Sequence, residues 1–140
     1  MQPQPAFPSA LKLLHMILGT GIDLAEVSRI RESIERFGDR FLHRVFTTGE
    51  ITYSSTKANK YERYAARFAA KEAAMKAIGT GWTGGVTWHD FEVVNLPNGR
   101  PTLVLHRRAA EIAKQLGIRA IALSLTHTAN YGLASVIAED

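Results

Sequence analysis

The chain has 140 residues, 46% hydrophobic and 21% charged, which is ordinary globular usage: it is neither disordered nor fibrous, and is long enough for one domain with its own core. It has no cysteine, which excludes disulfides, thiolate metal sites and a cysteine nucleophile and fits a cytoplasmic protein. Seventeen Lys and Arg against thirteen Asp and Glu give a net charge of +4, which favours acidic partners without choosing among nucleic acid, phosphate ligands and acidic proteins.

Residues 1–15, MQPQPAFPSALKLLH, carry three prolines and no basic n-region, so they read as an extension or added leader outside the fold, with residues 16–140 as a single domain. No apolar run approaches the roughly 20 residues of a membrane span, so no membrane partner is expected. The stretch MILGTGIDL, 16–24, predicts a strand ending at Asp23. Val27, Ile30 and Ile34 share one helical face, giving a helix over 26–37 that Gly38 ends or bends. Thr47-Thr48-Gly49-Glu50 has the spacing of a capping box and predicts a short helix. From about 57 to 78 the chain is rich in alanine and free of Gly and Pro, which predicts one long helix, about 33 Å at 1.5 Å per residue, stopped by Gly79. A strand over 86–95, a turn at Asn98-Gly99 and a strand over 101–106 form a hairpin. A helix over 107–116, ended by Gly117, and two strands, 119–126 and 131–138, complete the chain. The order indicates an α+β fold, a mostly antiparallel sheet with helices on one face.

In the long helix, Ala66, Ala69, Ala70, Ala73, Ala74 and Ala77 share a face on which another element can pack closely. Phe68, Glu72 and Gly79 fall on a different stripe with Lys76 beside it, so the charges, Lys71 included, are expected to project away from the alanines. Taken alone, Glu72 and Lys76 are an ordinary i,i+4 pair, and Asp23 an N-cap. Taken together, two carboxylates and a lysine suit a magnesium-assisted phosphate reaction, in which the cation takes one or two carboxylates and fills its other sites with water and phosphate oxygens. Gly79-Thr80-Gly81 then reads as a loop whose backbone comes close to the ligand.

Gly19-Thr20-Gly21-Ile22-Asp23 and the run Arg67-Phe68-Ala69-Ala70-Lys71-Glu72-Ala73-Ala74-Met75-Lys76-Ala77-Ile78-Gly79-Thr80-Gly81 closely resemble the holo-acyl-carrier-protein synthases, the small phosphopantetheinyl transferases. Asn98-Gly99-Arg100-Pro101 is similar to the family's NGKP turn, and Ser124-Leu125-Thr126-His127-Thr128 to its SxTHT segment. The resemblance covers about residue 16 to the C-terminus. It implies the phosphopantetheinyl transferase fold and transfer of the 4'-phosphopantetheine arm of coenzyme A to a serine of apo acyl carrier protein, with release of adenosine 3',5'-bisphosphate. It further implies magnesium bound by Asp23 and Glu72, and Lys76 at the pyrophosphate. Glu72, directly or through a magnesium-bound water, is the choice for the serine proton, although a metal-ligating carboxylate is a compromised base. On this reading the acid and the bases of the long helix serve a metal-bound pyrophosphate. The family is a homotrimer with active sites between neighbouring subunits, and the same is expected here.

Several residues have a plainer reading beside the functional one. His127 just past a strand end is more often structural; the resemblance moves it, with Thr128, toward coenzyme A at the adenylate end. Asn98-Gly99 is good turn chemistry in its own right, and Arg100 and Arg67 are candidate phosphate grips, the latter otherwise a residue that only solvates its helix. Pro101 and Gly79 join the coenzyme A set through the matched motifs. His15, His43, His89 and His106 show no ligand spacing, and Trp82 and Trp88 read as packing residues. Arg29, Arg36, Arg40 and Arg44 form a basic stripe if the chain stays roughly helical past Gly38. The family docks its strongly acidic carrier protein on the corresponding helix, so the stripe reads as a partner surface with Phe37 or Phe41 as an apolar anchor. Two rivals remain in view: a non-catalytic module whose arginines contact nucleic-acid phosphates, which no nucleic-acid motif supports, and a magnesium-dependent phosphotransferase acting on a free nucleotide.

Overall fold

The structure, a computed structural model, describes residues 15–140; apart from His15, the predicted N-terminal extension lies outside the described residues. In chain order the elements are β1 (Ile17–Glu26), α1 (Val27–Phe37), α2 (Asp39–Val45), α3 (Thr48–Ser55), α4 (Lys60–Ala77), β2 (Phe91–Asn95), β3 (Pro101–Leu105), α5 (Arg107–Gln115), β4 (Ala120–His127) and β5 (Tyr131–Glu139). All pairing is antiparallel, in a three-stranded sheet of order β1-β5-β4 and a separate β2-β3 hairpin. The fold is therefore α+β as the sequence predicts, with the antiparallel strands divided between two sheets. No helix among the described residues is long and apolar enough to cross a membrane.

Helix α4 lies on the three-stranded sheet at unusually close range. A Cβ added to Gly21 would stand 1.8 Å from the Ala73 carbonyl oxygen, one on Gly19 1.9 Å from that of Ala77, and one on Gly132 2.4 Å from the Ala66 nitrogen. The alanine stripe and the strand glycines therefore form one interface, backbone against backbone, which larger side chains on either side would prop apart. Because strand side chains alternate, Asp23 shares the helix-facing side of β1 with Gly19 and Gly21. The opposite face of β1 leaves Leu18, Ile22 and Leu24 exposed, the last two 61% and 57%.

A second stripe of α4, with Tyr64, Arg67, Lys71 and Met75, is buried under the hairpin and α3. This corrects the expectation that Lys71, along with Lys76, serves the ligand: Lys71 is completely buried, its Nζ 2.7 Å from Glu50 Oε1 and donating to the carbonyls of Trp88, at 3.2 Å, and Phe91. Glu50 also accepts from the backbone nitrogens of Thr47 (2.9 Å) and Val93 (3.0 Å). The predicted capping box at Thr47 is present, and the same glutamate ties α3 to α4 and β2. Burial pushes the Lys71 ammonium below its ordinary value, and the Glu50 carboxylate opposes that shift.

Several boundaries differ from the sequence reading. β1 runs on to Glu26, so Asp23 sits within a strand and is no N-cap; that position falls to Glu26. α4 begins at Lys60 rather than 57, with the carbonyl of its N-cap Asn59 accepting from the Arg63 nitrogen. β2 begins at Phe91 because Trp88–Asp90 form a single 3-10 turn: Lys71 takes the Trp88 carbonyl, and buried Asp90 takes the Thr87 hydroxyl and the Ala109 nitrogen. α2 continues from α1 across Gly38, whose φ of +56° lies in the left-handed region that glycine tolerates.

Replacing Gly21 with alanine should lower unfolding free energy by about 3 kcal/mol, since the methyl meets a carbonyl oxygen that neither backbone can withdraw. Chemical denaturation checks this, and a loss below about 0.5 kcal/mol would show that the helix and strand are less tightly held.

Candidate active site

Asp23 and Glu72 face each other where β1 passes the last turns of α4. Lys76, one turn beyond Glu72, bends back so that its Nζ lies 3.2 Å from Asp23 Oδ1 and 2.9 Å from the carbonyl oxygen of Ile22. The Asp23 side chain is 12% exposed and that of Lys76 is 55% exposed, so the acid is held inside while the ammonium opens to solvent. The two carboxylates line a cavity of ≈ 360 Å³ together with Arg29, Ile30, Phe41 and Phe68.

The electrostatics follow from this geometry. Burial raises the Glu72 carboxyl first; the Asp23 charge and a hydrogen bond shared with Asp23 raise it further, while Lys76 works against them, leaving it at about 7. Glu72 therefore keeps its proton up to near neutral pH unless a cation takes its place. Among the described residues no cluster of three or more His, Cys, Asp and Glu forms, so a metal here would have two carboxylate ligands only. That donor set fits magnesium, a hard cation that keeps several waters and accepts phosphate oxygens, and it fits no metal that needs a full cage of side chains.

The structure divides the remaining predicted residues into separate places. Arg67 lies five residues before Glu72, roughly 140° away around the helix, and points under the hairpin. There its Nη2 donates to Asn95 Oδ1 at 2.8 Å, its guanidinium stacks 4.3 Å from the Tyr53 ring centroid, and its buried Nε has no partner. Far from only solvating its helix, Arg67 is 3% exposed. Asn95 also donates to the Gly99 carbonyl at 3.0 Å, which links Arg67 to the Asn98-Gly99-Arg100-Pro101 turn. In that turn Asn98 Oδ1 accepts from the Arg100 nitrogen, and Gly99 has φ +87°. His127, the last residue of β4 rather than a residue past it, lies 4.0 Å from Glu62 in the first turn of α4, about 15 Å along the helix axis from Glu72. Thr128 caps the following turn by accepting from the Asn130 and Tyr131 nitrogens. Gly79, at φ +76°, ends α4.

The basic stripe is exposed along α1 and α2. Arg29 sits at the rim of the acidic cavity, and Arg40 and Arg44 border a groove of ≈ 250 Å³ with Phe37 and Phe41. Arg36 stacks on Phe37 with its Cζ 5.2 Å from the ring centroid. Residues that sequence reasoning passed over include Glu50, read only as a cap, Asn95, which joins Arg67 to the hairpin turn, and Glu62 beside His127. None of them has a signature that spacing alone would reveal.

The sequence profile of the 4'-phosphopantetheinyl transferase superfamily matches residues 19–134. A holo-[acyl-carrier-protein] synthase of Solibacter usitatus is 66% identical over 125 residues, covering 89% of this chain and all of the relative. The chain belongs to the holo-acyl-carrier-protein synthase family. The Koribacter versatilis synthase is equally similar, at 66% over 125 residues. Among solved structures, the Neisseria meningitidis synthase superposes with a TM-score of 0.81 at 31% identity, covering 89% of this chain and 100% of that one. The Bacillus anthracis synthase in complex with CoA (3',5'-ADP) gives 0.73 at 33% identity, with 89% and 98% covered. The protein is thus an enzyme, a phosphopantetheinyl transferase.

The raised Glu72 carboxyl has a measurable consequence. Its folded-state value of about 7 exceeds the ordinary 4.5, so as pH rises the unfolded chain releases this proton first, and the metal-free fold loses stability progressively between those two values. Thermal unfolding from pH 4.5 to 8 should show that decline, and Glu72→Gln should flatten it. An identical slope in both proteins would place the titration elsewhere.

Proposed function

We propose that this enzyme transfers the 4'-phosphopantetheine arm of coenzyme A to a serine of apo acyl carrier protein in the cytoplasm, with magnesium, releasing adenosine 3',5'-bisphosphate. The observation that carries the reading is the Asp23–Glu72 pair with Lys76 on its rim. Complexes of the Helicobacter pylori synthase with coenzyme A and of the Bacillus anthracis synthase with CoA (3',5'-ADP) support the choice of donor.

Asp23 and Glu72 would hold the magnesium ion, which when bound supplies positive charge against the pyrophosphate oxygens. Lys76 neutralises charge on the leaving side, with its ammonium fixed by the Ile22 carbonyl and Asp23. The serine Oγ–phosphorus bond forms as the bond to the departing adenosine bisphosphate oxygen breaks. We assign the serine proton to Glu72, although a carboxylate that also holds the cation is a weaker base than the metal-free carboxyl at about 7. Arg29 and the α1–α2 stripe hold the acidic carrier beside the cavity.

One chain does not gather all the groups this reaction needs. The 98–101 turn, braced from beneath by buried Arg67, and His127 with Thr128 lie away from the carboxylates, so a single coenzyme A would draw on neighbouring copies. The apolar outer face of β1, with Leu18, Ile22 and Leu24 exposed, offers the surface for such an assembly. The family resemblance implies a homotrimer with active sites between subunits, and we propose that assembly here.

Intact-mass spectrometry of apo acyl carrier protein incubated with the enzyme, coenzyme A and magnesium should show a gain of one phosphopantetheine arm, abolished by EDTA. Asp23→Asn should slow the transfer by on the order of 10²–10³-fold without unfolding the chain. Absence of a mass shift across carriers from several pathways, or full activity in EDTA, would refute the reading. Turnover of a free nucleotide without any carrier would favour the rival phosphotransferase.

A further inference from the structure

Arg44 borders the Phe37–Phe41 groove and also lines a larger open bowl of ≈ 530 Å³ on its other side. Trp82, Trp88, His43, His89 and Arg107 form the rest of that bowl's main wall. The surface is continuous from the acidic cavity: Phe41 is common to cavity and groove, and Phe68 in the cavity packs on Trp88 with ring centroids 4.8 Å apart. The mechanism above uses none of the bowl's residues except Arg44.

Two features mark the bowl as more than surface relief. Trp82 is held out to solvent, 52% exposed, on a loop with positive φ at Gly79, Gly81, Gly84 and Gly85, and it stands edge-on against Trp88 at 4.1 Å. Core packing alone would not leave an indole half uncovered. Arg107 is the one non-glycine residue with positive φ among the described residues, at +46°. It is held there because Asp90 takes its Nε at 3.3 Å and the Ala109 nitrogen at 3.2 Å through its carboxylate, while the Asp90 carbonyl takes the His106 nitrogen. The guanidinium remains 66% exposed at the bowl's edge. A strained backbone that presents an arginine beside an exposed tryptophan has the composition of an interface hot spot.

We propose that the carrier-protein footprint extends past Arg44 into this bowl, where Trp82 receives an apolar side chain of the carrier and Arg107 an acidic neighbour of it. The inference rests on the carrier-docking reading above and deepens it. Charge complementarity selects the occupant: Arg44 and Arg107 face the bowl against one buried carboxylate, Asp90, which suits a strongly acidic protein. The arm of coenzyme A beyond its pyrophosphate is uncharged and would leave both guanidiniums without partners. Contact on both sides of Arg44 would fix the carrier's rotation about the stripe, and so where its serine arrives.

The test measures Kd for a tryptophan-free apo acyl carrier protein by calorimetry, beside KM for coenzyme A in the transfer assay, using the full chain. Trp82→Ala and Arg107→Glu should each raise the carrier Kd about tenfold or more and leave the coenzyme A KM within about twofold. Arg107→Lys keeps the charge but not the Asp90 geometry, and should bind the carrier nearly as the parent does. In the parent, Trp82 fluorescence should shift on carrier binding. Unchanged carrier Kd in both variants, or a rise in coenzyme A KM instead, would overturn the proposal while leaving carrier modification intact. Failure of the parent chain to bind or modify any apo carrier would overturn the docking reading itself.

Discussion

The approach of α4 to β1 and β5, backbone against backbone, is the constraint on which the rest of the molecule depends. Gly19, Gly21 and Gly132 have no room for a Cβ, and the alanines opposite them are the largest side chains the gap accepts. The close approach fixes Asp23 opposite Glu72 and Lys76 with little freedom. Two carboxylates that work together need to be held within a fraction of an ångström, and two packed main chains hold them better than two long side chains could.

The opposite side of the same helix is clamped by different physics. Lys71 and Glu50 form a fully buried ion pair whose remaining hydrogen-bonding capacity is taken by the backbone of Trp88, Phe91, Thr47 and Val93. Such a pair adds little net stability over a well-packed apolar one, yet removing one partner would strand a charge, so its contribution is to specify a single docking of the hairpin on the helix. Through Arg67 and Asn95 the same hairpin carries its exposed turn at a fixed distance from α4. The helix thus serves as a common reference: its sheet side positions the carboxylates and its hairpin side positions the turn.

Much of this was legible in the sequence, for identifiable reasons. Element order, the capping box at Thr47, the alanine stripe and the end of α4 at Gly79 follow from local rules that tertiary packing did not override. Asp23 and Glu72 are 49 positions apart, and no periodicity pairs them; their association came from the motifs around each and then from the fold. What escaped was long-range. A lysine beside a glutamate in a helix looks solvated, and only the hairpin folded over α4 shows that Lys71 and Glu72 have opposite fates, one sealed and one at the site. Nothing in the sequence says why the predicted first strand carries glycines; the helix backbone lying against them does. β2 is shorter than the predicted 86–95: Val86 and Trp88 alternate with polar residues as in a strand, but Lys71 and Asp90 claim the groups a ladder would use.

The central proposal is that Asp23 and Glu72 together hold a cation that displaces the Glu72 proton. Isothermal titration of magnesium into the chain, at pH 6 and pH 8 and in buffers of different ionisation enthalpy, tests it most directly. With the Glu72 carboxyl at about 7, most of one proton should leave per magnesium bound at pH 6 and little at pH 8, and Asp23→Asn should remove both the binding and the proton release. Magnesium binding that releases no proton at pH 6, or that survives in Asp23→Asn, would contradict the account.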